Sequence, residues 1–548
     1  MTAVEPLKRV DVVVAASVAL ALLLGGYLRM VPGVCGAFHD DGVYALTAKA
    51  LAGGEGYRLI NLPEAPPQTK YPILYPATLA LAWAAGGSLA ERIVAMQVLT
   101  LLMAAASLAC AYLYLVRFGY VARSSAFAGT LLCASASNVL YYATTTLSEM
   151  PFALLLVGAL WATDRLGRSD LDPVARRTEF LVGVALAVPF LCRSVGVVVA
   201  PAALLALALQ GRRLRWIAAG VGLTALPWLA WVATGAMAVA TDPIISYQTD
   251  YFGWWTQAYG SLGPRVIWAN LGKALAAFTH IGFEGFAAEL YERFDSAAVL
   301  VAAIGVVPWV WIGMECRQLR PLPIVLAGYL ALVCLWPWAP DRFVIPVLPL
   351  LAAGFFELLR RVFAVTLPKR AADAPGMLIL LAAVALNYTL LVEYSTASRR
   401  SGYPYFMRPG PTVAWRSYME AFDWLRERSE PDDIIATGFE TMTSLYTSRR
   451  AVRLFVPRPE ALYYGANLPL AGTLDDFDRV LETHRPRYLF LSPMPAFPEE
   501  EALYELASDY RRRHPGAITP VYRGTDPRFV ILELKLGSLD NSSGDAGR

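Results

Sequence analysis

Long apolar runs fill residues 1–394, and the charged side chains gather in the short segments between them. A helix needs about 20 mostly apolar residues to cross a membrane, because no water is there to satisfy exposed peptide groups. About eleven runs approach this length and predict transmembrane helices. They cover residues 10–28, 93–116, 124–141, 150–166, 180–192, 195–209, 216–236, 297–314, 322–337, 343–359 and 377–392. The pattern predicts a polytopic α-helical membrane protein.

Basic residues orient these helices, since Lys and Arg are retained on the cytoplasmic side. Placing Lys8 and Arg9 inside puts every other basic loop inside as well. Those loops carry Arg117, Arg123, Arg165, Arg168, Arg176, Arg177, Arg212, Arg213, Arg215, Arg317, Arg320, Arg360, Arg361, Lys369 and Arg370. This topology requires the short apolar run 73–85 to lie at the outer interface or to re-enter. It also predicts two long outer loops, at 29–71 and 241–295.

After residue 394 the chain leaves the membrane, on the outer face in this topology. Short apolar segments predict strands, and helical patterns alternate with them. The strands are predicted at 433–437, 452–456, 488–492 and 529–534, and the helices at 415–428, 474–482 and 499–510. Residues 395–536 are therefore expected to form a small extracytoplasmic α/β domain. Residues 537–548 are rich in Gly, Ser and Asp, which predicts a disordered tail.

The composition supports a membrane protein. Of the 548 residues, 56% are hydrophobic and only 17% are charged, whereas soluble domains carry roughly 25% charged residues. This excludes a disordered protein and argues against a soluble enzyme. The formal net charge of +3 is too close to balance to indicate a nucleic-acid partner. The six cysteines form no C-x-x-C pair and no zinc-like cluster with histidine.

Two adjacent acids, Asp40 and Asp41, stand at the start of a short predicted helix in the first outer loop. A helix cap explains either acid alone, but two acids exceed what a cap needs. A carboxylate at a helix N-terminus stays ionised, and beside lipid it is poorly solvated and able to accept a proton from a hydroxyl. Glu149, at the outer end of its span, either joins them or caps the helix beginning near Pro151.

Three cations break the inside bias of the basic residues. Lys70, Arg193 and Arg342 fall at outer or buried ends of apolar runs, and Arg193 has no other charge nearby. Charges within a membrane are rare and usually functional, so these three are candidates for binding an anion. The alternative for each is a long side chain that reaches the lipid headgroups.

The long outer loop is rich in aromatic residues. It contains Tyr247, Tyr251, Phe252, Trp254, Trp255, Tyr259 and Trp268. Such a cluster forms an aromatic belt at the bilayer surface, or alternatively a wall on which a sugar ring stacks or a lid over a lipid. His280 and Glu284 have helical spacing and could contribute to a metal site, although two ligands four residues apart are weak evidence.

In this order, the motifs resemble the GT-C superfamily of membrane glycosyltransferases, especially the branch of aminoarabinose transferases and protein O-mannosyltransferases. After one span come the acidic pair with Tyr44 and Ala45, Lys-x-Pro-x-x-Tyr-Pro from Lys70 to Pro76, Ser-Glu-Met around Glu149, Leu-x-Arg-x-x-Gly around Arg193, and Arg-Phe-Val-Ile-Pro from Arg342. The resemblance covers residues 10–359. The terminal α/β domain lies outside this shared core.

The resemblance implies transfer of a sugar from a polyprenyl-phosphate donor to a lipid, glycan or protein acceptor, at the extracytoplasmic face of a bacterial plasma membrane. It makes 1–394 the catalytic module, and we expect a monomer. Asp40 is implied as the general base, with Asp41 and Glu149 as further catalytic acids. Lys70, Arg193 and Arg342 are implied to bind the donor phosphate, and we predict that Tyr44, Tyr75 and His280 bind the substrate. Some relatives bind a divalent metal, but no ligand set is evident in this sequence.

A transporter or lipid flippase is the alternative function, with Arg193 and Glu149 as substrate or proton sites. Such folds often contain inverted repeats and paired broken helices, and the sequence shows neither. A sensor or scaffold is a third possibility, which accounts for the terminal domain but leaves the acids of the first loop unexplained.

Overall fold

The computed structural model describes residues 6–167, 176–238, 242–294, 296–368, 371–406, 412–456, 458–495, 497 and 499–535. The predicted tail at 537–548, the inner-loop residues Arg168, Lys369 and Arg370, and both end residues of the loop at 241–295 lie outside these ranges.

The first part of the chain is almost entirely helical. Its helices are α1 Arg9–Arg29, α2 Asp40–Ala52, α3 Leu74–Ala84, α4 Leu89–Arg117, α5 Arg123–Ser135, α6 Ser137–Thr144, α7 Glu149–Gly167, α8 Arg176–Cys192, α9 Val199–Leu209, α10 Arg215–Ala238, α11 Pro243–Thr249, α12 Phe252–Leu262, α13 Arg265–Gly282, α14 Glu284–Arg293, α15 Ala297–Cys316, α16 Pro321–Leu335, α17 Asp341–Val344, α18 Leu348–Thr366 and α19 Ala374–Ser401. Short 3₁₀ turns at Ser194–Val198 and Ile345–Val347 lead into α9 and α18.

Fewer helices than predicted are long enough to cross a membrane alone. Among the described residues, six apolar stretches qualify: α1, α4, α10, α15, α17 together with α18, and α19. A seventh is obtained if α6 and α7, bent by 95°, form one broken span. Each predicted run coincides with a helix or with a pair of helices separated by a short break. Hydropathy does not detect these breaks, which make α5, α9 and α16 shorter than the predicted runs. By this measure six or seven of the described stretches can cross a membrane, and shorter apolar helices account for further predicted runs.

The apolar run after Pro72 forms α3, a helix of 11 residues. At 1.5 Å per residue it is roughly 16 Å long, about half of the hydrocarbon thickness. It is too short to span, as the orientation of the basic loops requires.

Small residues allow the helices to pack closely. A Cβ on Gly129 of α5 would lie 2.3 Å from the backbone nitrogen of Ala353 in α18, and a Cβ on Gly183 of α8 would lie 2.0 Å from the carbonyl oxygen of Ile217 in α10. Both contacts are closer than any side chain allows. Glycine at these positions lets helix backbones approach, which is how helices associate in lipid.

The C-terminal part is a mixed α/β unit, as predicted. Its strands are β1 Ile434–Thr437, β2 Arg450–Arg453, β3 Tyr488–Leu491, β4 Ile518–Arg523 and β5 Val530–Leu534, and its helices are α20 Trp415–Arg428, α21 Glu440–Thr447, α22 Pro459–Tyr464, α23 Leu474–His484 and α24 Glu499–Arg513. The sheet order is β2-β1-β3-β5-β4. β1 runs parallel to β2 and β3, and β5 runs antiparallel to β3 and β4. The sequence did not predict β4, which contains Pro520, or the short helices α21 and α22.

The first outer loop and the C-terminal unit pack directly on each other. At the sheet edge, the backbone nitrogen of Ala451 in β2 donates to the carbonyl oxygen of Asn61 at 2.7 Å. Nearby, a Cβ on Gly42 of α2 would lie 2.5 Å from Oγ1 of Thr441 in α21. This close approach sets the first residues of α2 against the first residues of α21.

Candidate active site

A strained turn introduces α2. His39 has φ 74° and ψ −63°, and the backbone nitrogen of Asp40 donates to the carbonyl oxygen of Phe38 at 3.1 Å. These angles and the bond across one residue define a γ-turn of positive φ, which is rare for a residue with a side chain. The turn starts α2 at Asp40, whose carboxylate lines a cavity.

The cavity has a volume of about 330 Å³ and lies between the first outer loop, α11, the segment before α17 and the C-terminal unit. Five of the nine residues proposed from the sequence line it. They are Asp40, Tyr44, Lys70, Arg193 and Arg342. The three cations that break the inside bias therefore line one cavity together with Asp40, although they are far apart in sequence.

Four charged side chains form a continuous network at this cavity. Oδ2 of Asp40 lies 2.7 Å from Nη1 of Arg342. Oε1 of Glu149 lies 2.6 Å from Nη2 of Arg342 and 2.6 Å from Nη1 of Arg193. Glu149 is fully buried and does not line the cavity. It therefore acts here as the shared counter-ion of two arginines, which balances two positive with two negative charges.

Hydrogen bonds also hold Arg193 and the neighbouring Tyr44 in place. Nη1 of Arg193 donates to Oγ of Ser148 at 2.9 Å, and the same oxygen lies 2.8 Å from the hydroxyl of Tyr44. The ring of Tyr75 packs edge-on against Tyr44 at 5.1 Å, while its hydroxyl bonds to Oγ1 of Thr100 at 2.7 Å. Tyr75, expected to touch substrate, instead supports Tyr44 from outside the cavity lining.

The Asp40 carboxylate is held on both oxygens. Besides Arg342 on Oδ2, its Oδ1 accepts from the hydroxyl of Tyr71 at 2.8 Å and lies 3.5 Å from Nδ1 of His39. Burial alone would raise the pKa of Asp40, but the charge of Arg342 and the hydrogen bond from His39 hold it well below its usual range. Asp40 is therefore ionised throughout the physiological pH range.

Lys70 is buried without a carboxylate partner. Its Nζ donates to the carbonyl oxygen of Tyr247 at 2.7 Å, and no carboxylate in the described ranges lies within 4.0 Å of it. Ring centroids of Tyr71, Tyr247, Tyr251, Trp254 and Trp338 surround it at 4.5 to 5.7 Å. Burial lowers the pKa of Lys70 to about 7. Its charge is thus present only on part of the molecules near neutral pH.

Asp41, also predicted as a catalytic acid, is placed differently from its neighbour. Its carboxylate accepts from the backbone nitrogens of Gly36 at 2.7 Å and Phe38 at 3.1 Å, and it does not line the cavity. Burial raises the pKa of Asp41 to about 6, against these backbone bonds. Successive helical residues project about 100° apart, which explains why Asp41 braces the loop while Asp40 faces the cavity.

His280 does not reach the cavity either. Its Nε2 lies 2.9 Å from the hydroxyl of Tyr291, and Oε2 of Glu284 accepts from the backbone nitrogen of Asn138 at 3.0 Å. The expected helical pair does not form, because α13 ends at Gly282 and α14 begins at Glu284.

The residues at the cavity do not fit a divalent metal. No group of three or more His, Cys, Asp or Glu side chains that could hold a metal occurs in the part of the chain that the structure describes. The two acids of the network, Asp40 and Glu149, are already bound to guanidinium groups. The carboxylates that a metal would need as ligands are therefore already paired with arginines.

The C-terminal unit supplies cavity residues that the sequence did not reveal. Those that line the cavity are Arg453, Leu462, Tyr463, Phe497 and Glu499. Behind them, Oε1 of Glu440 lies 2.6 Å from Nε2 of His39. The contributions were missed because this unit lies outside the ordered motifs, and only the histidine next to the acidic pair gave any signal.

A larger cavity of about 670 Å³ lies between α11 and α23. It contains none of the nine residues proposed from the sequence. Its polar lining includes Asp242 and His484, whose side chains pair at 2.9 Å. We place the candidate chemistry in the smaller cavity, since the convergent charges are there.

No family model matches the sequence, and no curated protein matches it. Comparison with solved structures shows that the chain has the fold of the GT-C membrane glycosyltransferases, as the motif series implied. Together with the six or seven long apolar helices, this fold is that of a multi-pass membrane protein.

Two proteins illustrate this structural likeness. The oligosaccharyltransferase of Archaeoglobus fulgidus superposes with a TM-score of 0.54 in its apo form, at 13% identity over 92% of this chain and 71% of that one. Its complex with zinc and sulfate gives 0.52, at 14% identity over 88% and 67%. ArnT from Cupriavidus metallidurans, bound to undecaprenyl phosphate, gives 0.50, at 14% identity over 95% and 97%. At identities this low, the structural likeness shows a shared fold alone.

Proposed function

We propose that this chain is a membrane glycosyltransferase that transfers a sugar from a polyprenyl-phosphate donor to an acceptor, with Asp40 as the general base. One observation carries the proposal: an ionised carboxylate shares a cavity with Lys70, Arg193 and Arg342. Acceptor activation needs a base, and departure of a phosphate needs cations, so both requirements are met at one place.

The cations favour a phosphate donor. The two arginines present planar donors suited to phosphate oxygens, and Nζ of Lys70 donates to the backbone carbonyl of Tyr247 and to no carboxylate among the described residues. A buried ammonium without a counter-ion is unfavourable, so an incoming phosphate improves its environment. ArnT, whose fold this chain shares, is bound to undecaprenyl phosphate in its solved structure, which supports a polyprenyl carrier.

The reaction is a single displacement. The acceptor oxygen or nitrogen bonds to the anomeric carbon, while the bond from that carbon to the phosphate oxygen breaks. The electron pair leaves with the polyprenyl phosphate, and the acceptor proton passes to Asp40. One displacement through an oxocarbenium-like transition state inverts the anomeric configuration.

Arg342 links donor binding to the strength of the base. While Arg342 holds Oδ2 of Asp40, the carboxylate is a weak base. A donor phosphate competes for the same guanidinium, because both partners are anions. As Arg342 turns towards the phosphate, Oδ2 regains basicity, so the base becomes effective when the donor is present.

We place the cavity at the extracytoplasmic face of a bacterial plasma membrane. The support is the distribution of basic residues, which puts the first outer loop opposite the loops rich in Arg and Lys. The acceptor is a lipid, glycan or protein that presents a hydroxyl or amine, and the active unit is a monomer.

The test uses the purified protein in lipid with a set of polyprenyl-phosphate sugars, and it measures donor cleavage and sugar transfer. Asp40→Asn is expected to lower transfer about a thousand-fold and to leave donor binding intact, since the three cations remain. The control is Asp423→Asn on the exposed side of α20.

Two outcomes would contradict the proposal. Substantial transfer by the Asp40 variant removes it as the base. Movement of the intact donor across the bilayer without cleavage identifies a flippase instead.

A further inference from the structure

One histidine connects the proposed base to the C-terminal unit. On one side, Nδ1 of His39 lies 3.5 Å from Oδ1 of Asp40. On the other side, Nε2 of His39 lies 2.6 Å from Oε1 of Glu440, the first residue of α21. His39 is buried, and Glu440 is fully buried. The imidazole therefore bridges two carboxylates from distant parts of the chain.

The backbone of His39 is held in a strained conformation. Its φ of 74° and ψ of −63° are unfavourable for any residue with a Cβ, and such strain persists only where the surroundings enforce it. The surroundings here belong to α21. Besides the bond from the ring to Glu440, Oγ1 of Thr441 donates to the carbonyl oxygen of His39 at 3.3 Å.

Glu440 is itself fixed by two further partners. Nε of Arg453 in β2 lies 3.2 Å from its Oε2, and Nε2 of Gln248 in α11 donates to its Oε1 at 2.6 Å. A buried carboxylate with three polar partners has little freedom to move. Although burial opposes ionisation, Arg453 and His39 lower the pKa of Glu440 to about 2.

The charges around His39 favour its protonated form. Burial and the nearby Arg453 lower the pKa of His39, but Glu440 and the hydrogen bond to Asp40 outweigh them and raise it above the usual value. Two more titratable groups face it. The ring of Tyr247 in α11 lies 6.2 Å away, and Glu499 in α24 interacts with it electrostatically.

We propose that His39 is a positioning residue for Asp40, and that Glu440 fixes its orientation and charge, so that the C-terminal α/β unit takes part in sugar transfer. The inference rests on the proposed function, which names Asp40 as the base. With both ring nitrogens protonated, Nε2 donates to Glu440, and Nδ1 forms an ion pair with Asp40 at 3.5 Å.

The arrangement assigns different tasks to the two oxygens of Asp40. Oδ1 is held by His39 and by the hydroxyl of Tyr71, whereas Oδ2 is held by Arg342 alone. When Arg342 turns to the donor phosphate, Oδ1 stays anchored and Oδ2 becomes free. The acceptor proton is therefore taken by Oδ2, in a direction set by His39.

The first experiment measures kcat against pH at saturating donor, where the donor complex alone is reported. The charge of His39 is present below its pKa and is lost as the pH rises through it. Glu440→Gln removes a carboxylate that raises this pKa, so the alkaline loss of kcat should begin about one pH unit lower. The matched control Glu420→Gln, on α20, should leave the profile unchanged.

His39→Gln is the second variant, and it serves also if the Glu440 variant does not fold. It keeps the Glu440–Arg453 pair and removes the charge beside Asp40. We expect kcat to fall about a hundred-fold, the scale of a misplaced catalytic group. KM for the donor should be unchanged, since Lys70, Arg193 and Arg342 are intact, and the alkaline limb should disappear.

A direct measurement of His39 does not depend on activity. The chain has four histidines, so ¹⁵N-labelled imidazole signals are few, and His39→Gln identifies the one that belongs to His39. Its titration should lie above the ordinary histidine pKa in the parent protein and lower in Glu440→Gln.

The outcomes separate this inference from the proposed function. The inference is overturned if the His39 titration is unaffected by Glu440→Gln, or if His39→Gln alters kcat and KM equally with an unchanged pH profile. If the titration responds as expected but the parent protein cleaves no polyprenyl-phosphate sugar, then the proposed function fails and the coupling between His39 and Glu440 stands.

Discussion

The cavity holds its cations in two different ways. Arg193 and Arg342 are paired with Glu149, and Arg342 also with Asp40. Lys70 lies in a ring of aromatic side chains and has only a backbone carbonyl as a hydrogen-bond partner in the described structure. The paired arginines form a charged framework that exists before any ligand arrives. The charge of Lys70, by contrast, depends on what binds beside it.

The difference follows from the chemistry of the two side chains. A guanidinium stays charged in any protein environment, whereas an ammonium readily loses its proton when it is buried. Aromatic faces attract a cation, but at Lys70 burial outweighs them and lowers the pKa to about 7. The two arginines therefore keep their positive charges, whereas the charge of Lys70 depends on whether an anion binds beside it.

Glu149→Gln breaks the paired region and should have the largest effect. It leaves the buried Arg193 and the partly exposed Arg342 with one carboxylate, and removal of one partner from a buried ion pair costs about 3–5 kcal/mol. We expect a lower thermal unfolding temperature together with loss of sugar transfer. Glu289→Gln, in an exposed ion pair of α14, is the control. Unchanged stability would show that Glu149 is not the counter-ion of the framework.

Lys70→Met tests the unpaired region. Met fills a similar volume among the aromatic rings, so the fold should persist. Loss of a charge-assisted hydrogen bond to phosphate should weaken donor binding about 10- to 100-fold, measured by titration with labelled donor. Lys49→Met, at the last turn of α2 and outside the cavity, should bind as the parent does. Equal affinities in both variants would exclude Lys70 from donor binding.

The pH dependence of donor binding sharpens the comparison. Lys70 is protonated below its pKa of about 7, and a phosphodiester donor keeps one charge throughout this range. Donor affinity should therefore fall as the pH rises above 7, by up to about ten-fold per pH unit. Lys70→Arg, which stays charged, should abolish the dependence. A dependence that persists in this variant would assign the titration to another group.

His280→Ala lies outside both regions and should have the smallest effect. The side chain contacts Tyr291 and does not line the cavity, so donor binding and transfer should stay within about two-fold of the parent. A large loss would restore His280 as a substrate-binding residue and enlarge the site towards α14.

The sequence predicted the features that depend on local pattern or on broken rules. Hydropathy located the helices, and the period of apolar residues located the α/β unit. Lys70, Arg193 and Arg342 were found because they violate the inside bias, and the structure brings all three to one cavity. An exception to a general rule can be recognised from one sequence, without knowledge of the residues that the exceptional side chain contacts.

Features that depend on direction or on distant contacts could not be predicted. Neighbouring acids look alike in sequence, yet Asp40 faces the cavity and Asp41 binds backbone nitrogens. The spacing of His280 and Glu284 suggested one helix, but a break separates them. The contribution of Glu440 depends on docking of two segments remote in sequence, which no periodicity encodes.

The contact between Asn61 and Ala451 has a consequence for how the protein is made. The loop that covers the edge of β2 is synthesised long before the strand that it covers. Until that strand has left the ribosome, the side of the cavity that the C-terminal unit forms is missing, and the charged side chains of the cavity are exposed to water. A nascent chain can thus have its first helices in the bilayer while the proposed site is still incomplete.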